Sequence, residues 1–289
     1  MNSPIQAASR IDTHRDASPQ SARLQANEAS FGYERRPVCH KVSTAIPDGA
    51  LTAIIGPNAC GKSTLLRGLG RLLKPLDGAV TLDGKPIGSY QAKEFARRIA
   101  LLPQASIAPD GITVADLVAR GRFPHQTFLR QWSEVDANAV TEAMAMTRIE
   151  SLSGRRVSDL SGGQRQRVWI AMVLAQHAEI MLLDEPTTFL DIAHQIELLH
   201  LLTELRRAGR TIVAVLHDLN QAARYATHLI AMKDGEIVAE GPPREVVTAE
   251  LVEVVFGIRS VISADPVSGT PAVFPLNESP VTVPNLGTG

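Results

Sequence analysis

Apolar residues fall in short runs along this chain, and the runs alternate with segments of helical spacing. LTAII, IMLLD and TIVAVLHD are nearly free of polar side chains over four or five residues, as strands buried on both faces of a parallel sheet are. LQANEASFGYE reads as a first strand. VCHKVSTAIPDGALTAIIG adds strand on either side of a turn at Pro47-Asp48-Gly49. AVTLDGKPI forms a short strand pair around Asp83-Gly84, and HLIAMKDGEIVAEG a hairpin with Asp234-Gly235 at its tip. A helix is expected over residues 63–73, stopped by Pro75, and IAHQIELLHLLTELRRAG is an amphipathic helix ended by Gly209. TVADLVARG and SEVDANAVTEAMAMTRI carry helical spacing with no strong strand signal between them. Residues 105–160 therefore read as a helical subdomain inserted in an α/β core.

The ends differ from this middle. Residues 1–23 are polar, rich in Ser, Ala and Gln, and lack the apolar core of a secretory signal, so a loose leader is expected. From Asp265 to Gly289, Pro, Val, Gly and Thr dominate, and a C-terminal tail of short extended segments is expected; the domain proper runs from 24 to 264. Lys and Arg total 29 against 30 for Asp and Glu, a balance that argues against nucleic acid as the main partner. Two cysteines, Cys39 and Cys60, make neither a disulfide framework nor a four-cysteine zinc site, which fits a reduced compartment. No stretch of eighteen apolar residues exists, so if the protein serves a membrane, another chain must span it.

The chemistry begins at GPNACGKST, between LTAII and a helix. Gly56, Gly61, Lys62 and Ser63 satisfy the Gly-x-x-x-x-Gly-Lys-Ser pattern, in which backbone N–H groups and a helix N-terminus cradle phosphates. Pro57, Asn58, Ala59, Cys60 and Thr64 complete the loop. Lys62 is expected on the β- and γ-phosphates and Ser63 on Mg²⁺. IMLLDEP then ends an apolar strand in two carboxylates at the sheet edge where α/β folds bind ligands. Asp184 suits the Mg²⁺ shell, and Glu185 suits a general base on the attacking water. LSGGQ precedes them and opens a further helix. Ser161, Gly162, Gly163 and Gln164 thus make a second anion-binding helix end, although the chain has only one lysine-bearing loop.

GPNACGKST, LSGGQ and IMLLDEP, in this order, resemble the nucleotide-binding subunits of ABC transporters, and the resemblance spans roughly residues 25–260. It implies a P-loop NTPase core of ABC type with an antiparallel β subdomain and an inserted helical subdomain. It also implies ATP and Mg²⁺ as ligands and a homodimer in which LSGGQ of one copy closes over the nucleotide of the other. By the same resemblance Tyr33 stacks on adenine, and Gln104 contacts Mg²⁺ and water. Asp191 lines the dimer seam, and His217 meets the γ-phosphate. A plain strand aromatic is the alternative for Tyr33.

Two loop positions depart from the family. Ala59 replaces the commoner Gly, so this position either avoids a positive φ or tolerates the methyl. Cys60 stands at a helix N-terminus, where a lowered pKa and redox sensitivity are one reading and a small filler residue the other.

DIAHQIELLHLL, VLHDLNQAARYATHLIAMKDGEIVAEG and ADPVSGTPAVFPL resemble the ATPases of bacterial ferric-siderophore importers. That implies an inner-membrane permease as partner, a substrate-binding protein acting through it, and a place on the cytoplasmic face. ARGRFPH, with Gln104, is expected to dock a coupling helix of the permease, against the alternative of a solvated basic turn. Haem or vitamin B12 as cargo, a soluble ABC ATPase without transport, and an ATP-binding scaffold without turnover are the competing readings.

Overall fold

The protein, described here from a computed structural model, is defined over residues 22–104, 107–127 and 132–276. The expected leader up to residue 21 and the tail from 277 onward lie outside the described residues. Strands β1 (Leu24–Tyr33) and β2 (Arg36–Ile46) pair antiparallel and precede β3 (Leu51–Ile55), which feeds the phosphate loop and α1 (Lys62–Leu69). The short strands β4 (Asp77–Leu82) and β5 (Lys85–Pro86) follow, then α2 (Ala92–Arg98) and β6 (Ile99–Leu102). Next come α3 (Val114–Ala119), α4 (Glu134–Met146) and α5 (Gly162–Ala175). The core resumes with β7 (Ile180–Leu183), α6 (Ile192–Arg207), β8 (Thr211–Val215) and α7 (Leu219–Tyr225). Strands β9 (His228–Lys233) and β10 (Glu236–Gly241), helices α8 (Pro243–Val246) and α9 (Ala249–Phe256), and a last pair, β11 (Ser260–Ala264) and β12 (Pro271–Pro275), complete it.

Two sheets carry the architecture. An antiparallel sheet runs β2-β1-β4-β5; a larger one runs β10-β9-β3-β8-β7-β6, parallel except for the β10 edge. Every residue of β3, β7 and β8 is buried, as their largely apolar runs predict. Their side chains alternate between two cores. Leu51, Ala53 and Ile55 face the helical side with Met181, Leu183 and Ile212. Ile54, Leu182 and Val213 face α1 and the antiparallel sheet. The parallel pairing of both strands with β8 leaves the carboxyl ends of β3 and β7 at one edge, and the site is built there.

Helix α1 ends earlier than its spacing predicts, at Leu69 rather than 73. Gly70 closes the helix, and a side chain there would strike Leu101 Cδ1 at 2.3 Å; Arg71 follows at φ 61°, outside helical space. Residues 107–127 and 132–160 carry α3, α4 and short 3₁₀ turns, and α3 and α4 pack against α5. The β11–β12 hairpin straddles residue 265 and docks on α7. There Asn220 receives Val273 N–H at 2.7 Å and donates to Val273 O at 3.3 Å.

Candidate nucleotide site

The phosphate loop turns on two glycines. Gly56 has φ 151°, and a Cβ there would lie 2.2 Å from Met232 O. Gly61 has φ 104°, with Cys39 Sγ 3.0 Å from where a Cβ would stand. Ala59 lies at φ 61°, so of the two readings for this position the tolerated methyl holds and the avoided positive φ does not; the residue is exposed at the loop tip beside Asn58. Lys62 is buried and donates to Gly56 O at 2.9 Å and Pro57 O at 2.7 Å, so its ammonium lies across the loop. Thr64 is buried behind it.

Both cysteines are free and buried under this loop. Burial, then the neighbouring Cys60, pushes the Cys39 thiol up to about 12. Burial likewise raises Cys60 against the pull of Lys62 and of backbone N–H groups. The reading of Cys60 as a thiol of lowered pKa is therefore wrong; desolvation outweighs the helix N-terminus.

Across the loop, Ser63 Oγ donates to Asp184 Oδ1 at 2.7 Å. Asp184 is 1% exposed, its Oδ2 lacks a hydrogen-bond partner, and burial raises its pKa despite Ser63 and Arg67. A buried carboxylate oxygen with no donor beside a hydroxyl is the hard-oxygen set that suits Mg²⁺, which commonly takes one or two carboxylates and completes its shell with phosphate and water. The residues present fit that ion.

Glu185 stands next to it at φ 53°, a strained conformation for a side chain of this size. Gln104 Nε2 donates to Glu185 Oε2 at 2.8 Å, and Thr188 Oγ1 donates to the same oxygen at 3.3 Å. His217 Nε2 lies 2.8 Å from Oε1. The structure thus brings Gln104, Glu185 and His217 into one cluster, from the ends of β6, β7 and β8.

The LSGGQ segment is organised separately. Ser161 caps α5 with Gln164 in a reciprocal capping box, each accepting a backbone N–H of the other at 3.2 Å. Gln166 Nε2 donates to Pro186 O at 3.0 Å, and Gly162 faces Phe189. Among the described residues, no hydrogen bond of Ser161, Gly162, Gly163 or Gln164 reaches the phosphate loop. Asp191 caps α6, its Oδ1 accepting from His194 N at 2.9 Å, and its side chain is 66% exposed. The ARGRFPH turn lies across the far end of α5. Gly121 lacks a Cβ that would meet Met172 O at 2.1 Å, and Arg122 Nη1 donates to Ala175 O at 2.8 Å. Arg122 is itself buried, whereas Arg120 and Phe123 are exposed.

Tyr33 ends β1, partly exposed, and its phenol oxygen accepts from Arg67 Nη1 at 3.0 Å. Arg67 and Thr188 are site residues that the sequence reading missed. Their signals were spacing alone: Arg67 lies one helical turn beyond Ser63, and Thr188 three residues beyond Glu185.

A protein-family model described as ABC transporter matches residues 39–188, just over half of the chain. The chain belongs to the ABC transporter family. It is 57% identical over 265 residues to the ferric enterobactin transport ATP-binding protein FepC of Escherichia coli (strain K12), covering 91% of this chain and 98% of that protein. It is 52% identical to the probable siderophore transport system ATP-binding protein YusV of Bacillus subtilis (strain 168), covering 87% and 92%. In fold it is similar to an inward-facing putative metal-chelate type ABC transporter, at TM-score 0.75 and 27% identity over 89% of this chain and 98% of that one. The dimeric bacterial cassette MJ0796, in a post-hydrolysis state with ADP and Pi, matches at TM-score 0.68 and 28% identity over 76% and 98%. This ABC protein therefore has an ATPase fold of P-loop type with antiparallel β and helical subdomains. Among the described residues, no helix is long and apolar enough to cross a membrane.

Proposed function

We propose that this chain is the ATP-hydrolysing subunit of a ferric-siderophore importer, acting as a head-to-tail dimer on the cytoplasmic face of the inner membrane, docked on a separate permease. The observation that carries the reading is 57% identity across nearly the whole length of a ferric enterobactin transport ATP-binding protein. A cobalamin import relative from Halobacterium salinarum is 40% identical, and the chain covers only 59% of it.

The site supports turnover. Backbone N–H groups of Gly56–Thr64 cradle the ATP phosphates while Lys62 turns from its carbonyl partners to their oxygens. Ser63 and Asp184 would hold Mg²⁺, which neutralises phosphate charge when bound. Glu185 takes up water's proton, with Gln104 and His217 fixing both of its oxygens. LSGGQ of a second copy would close over the γ-phosphate, which accounts for its isolation from the phosphate loop of its own chain. Gln104, the exposed Phe123 and the buried Arg122 beneath it make the docking face for a permease helix, through which a substrate-binding protein acts indirectly.

The test is uptake of radioactive iron presented as ferric enterobactin, in cells lacking this chain and in cells with it restored, alongside capture from detergent-solubilised membranes. Loss of iron uptake together with a co-purifying polytopic permease is expected. Normal iron uptake with loss of cobalamin or haem uptake would move the cargo, and recovery of soluble partners alone would sink the importer reading.

A further inference from the structure

One cation at the centre of the site takes no part in the steps above. Arg67 lies on α1 four residues beyond Ser63, and so on the same helix face. Its Nη1 donates to the Tyr33 phenol oxygen at 3.0 Å, and its Nη2 stands 3.7 Å from Asp184 Oδ2. The two partners belong to different layers: Tyr33 ends a strand of the antiparallel sheet, and Asp184 follows β7 of the parallel one. A guanidinium is a rigid planar fork, so a single side chain holds both groups at a set separation. The contact to Asp184 is a charge contact, too long for a hydrogen bond, and it falls on the oxygen that no donor satisfies. A buried carboxylate needs a compensating charge, and within the described residues Arg67 is the cation ion-paired with it.

We propose that Arg67 is a positioning residue that links the base platform to the metal carboxylate. It holds Tyr33 in place while anchored at Asp184, and it yields that oxygen to a divalent cation. The proposal rests on Tyr33 as the adenine platform and Asp184 as the metal ligand. Two cations compete for one carboxylate oxygen, so metal occupancy loosens Arg67 and, through it, Tyr33. By reciprocity, the strength of nucleotide binding without metal and the gain on adding metal are set by the same residue.

The experiment is calorimetric titration of the full-length protein with ADP, in EDTA and in excess Mg²⁺, for wild type, Tyr33→Phe, Arg67→Met, the double variant and Tyr33→Ala. ADP reads binding without turnover. Arg67→Met and Tyr33→Phe are each expected to weaken metal-free binding about fivefold, the low end for a coupling between sites. The double variant should be no weaker than either single, and the Mg²⁺-induced gain should grow in Arg67→Met. Fold-changes that multiply in the double variant, or a Mg²⁺ gain unchanged in Arg67→Met, would overturn the link. If Arg67→Met does not fold, Tyr33→Phe decides alone, since it removes only the oxygen that Arg67 holds: unchanged metal-free binding overturns the proposal. Tyr33→Ala separates the two layers of the argument. Undiminished ADP affinity there removes the platform itself, whereas weakened affinity with no coupling removes only Arg67.

Discussion

His217 Nε2 lies 2.8 Å from Glu185 Oε1, so the residue expected to sense the γ-phosphate and the residue expected to act on water are in direct contact. Burial pushes the Glu185 carboxyl up, but the hydrogen bond and charge of His217, then Gln104 and Thr188, outweigh it and leave the pKa lowered. The group stays ionised at neutral pH and available as a base. Glu185→Gln should cut hydrolysis by about 10²–10⁴-fold, the usual range for a general base, while ATP binding persists. Phosphate release and calorimetry on the same preparation check both halves, and undiminished turnover would remove Glu185 from the mechanism.

Because, among the described residues, no hydrogen bond of Ser161 reaches the phosphate loop of its own chain, a head-to-tail dimer should let inactivating changes at the two ends complement each other. Lys62→Ala and Ser161→Arg proteins should each lose about 10²-fold or more of their hydrolysis, the scale of losing a charge-stabilising donor. Mixed, they form some dimers with one intact composite site, and hydrolysis should return. Mixing without recovery would argue against the head-to-tail sandwich.

Ala59 at φ 61° carries a strain that glycine would not. A left-handed side-chain residue costs about 1–2 kcal/mol, and glycine gives back about 0.4–1 kcal/mol through the unfolded chain. Ala59→Gly should therefore stabilise the protein by up to about 1.6 kcal/mol. Ala59→Val should destabilise it, and thermal melts of the two variants should move in opposite directions.

The buried pair Arg122–Asp136, Nε to Oδ1 at 2.8 Å, ties the ARGRFPH turn to the start of α4. Burial pushes the Asp136 carboxyl up, but the hydrogen bonds of Ser133 and Arg122 outweigh it, and the pKa is lowered. A depressed carboxyl stabilises the fold above its unfolded pKa of about 3.9, and that contribution is lost as pH falls through the lower folded value. Asp136→Asn should cost about 3–5 kcal/mol at neutral pH, as breaking a buried pair does. The gap to wild type should narrow below about pH 4 in denaturant titrations.

What was legible in the sequence was local. The apolar runs marked β3, β7 and β8 because burial on both faces leaves few polar residues in them. The phosphate loop and the carboxylate pair were legible because each follows a buried strand, and Ser161 because it caps a helix start. Contacts between distant elements were not. Arg67 meets Tyr33 and Asp184 only once three elements have packed. The close approach of Leu101 to Gly70 at the end of α1 comes from a distant strand, and the desolvation that raises Cys60 comes from the burial of that side chain in the folded protein. Asn220 holding the β11–β12 hairpin across the surface of α7 left no periodic trace.

Helix α5 is gripped at both extremities. Ser161 and Gln164 lock its first turn, and Arg122 and His125 bind the carbonyls of Ala175 and Gln176 at its last, each at 2.8 Å. Fourteen helical residues span about 21 Å and bend little over that length. The helix is thus a strut with a handle. A push at Phe123 therefore bears on a helix whose other end is Ser161, and a shift of about an ångström is of the size that makes or breaks a hydrogen bond there.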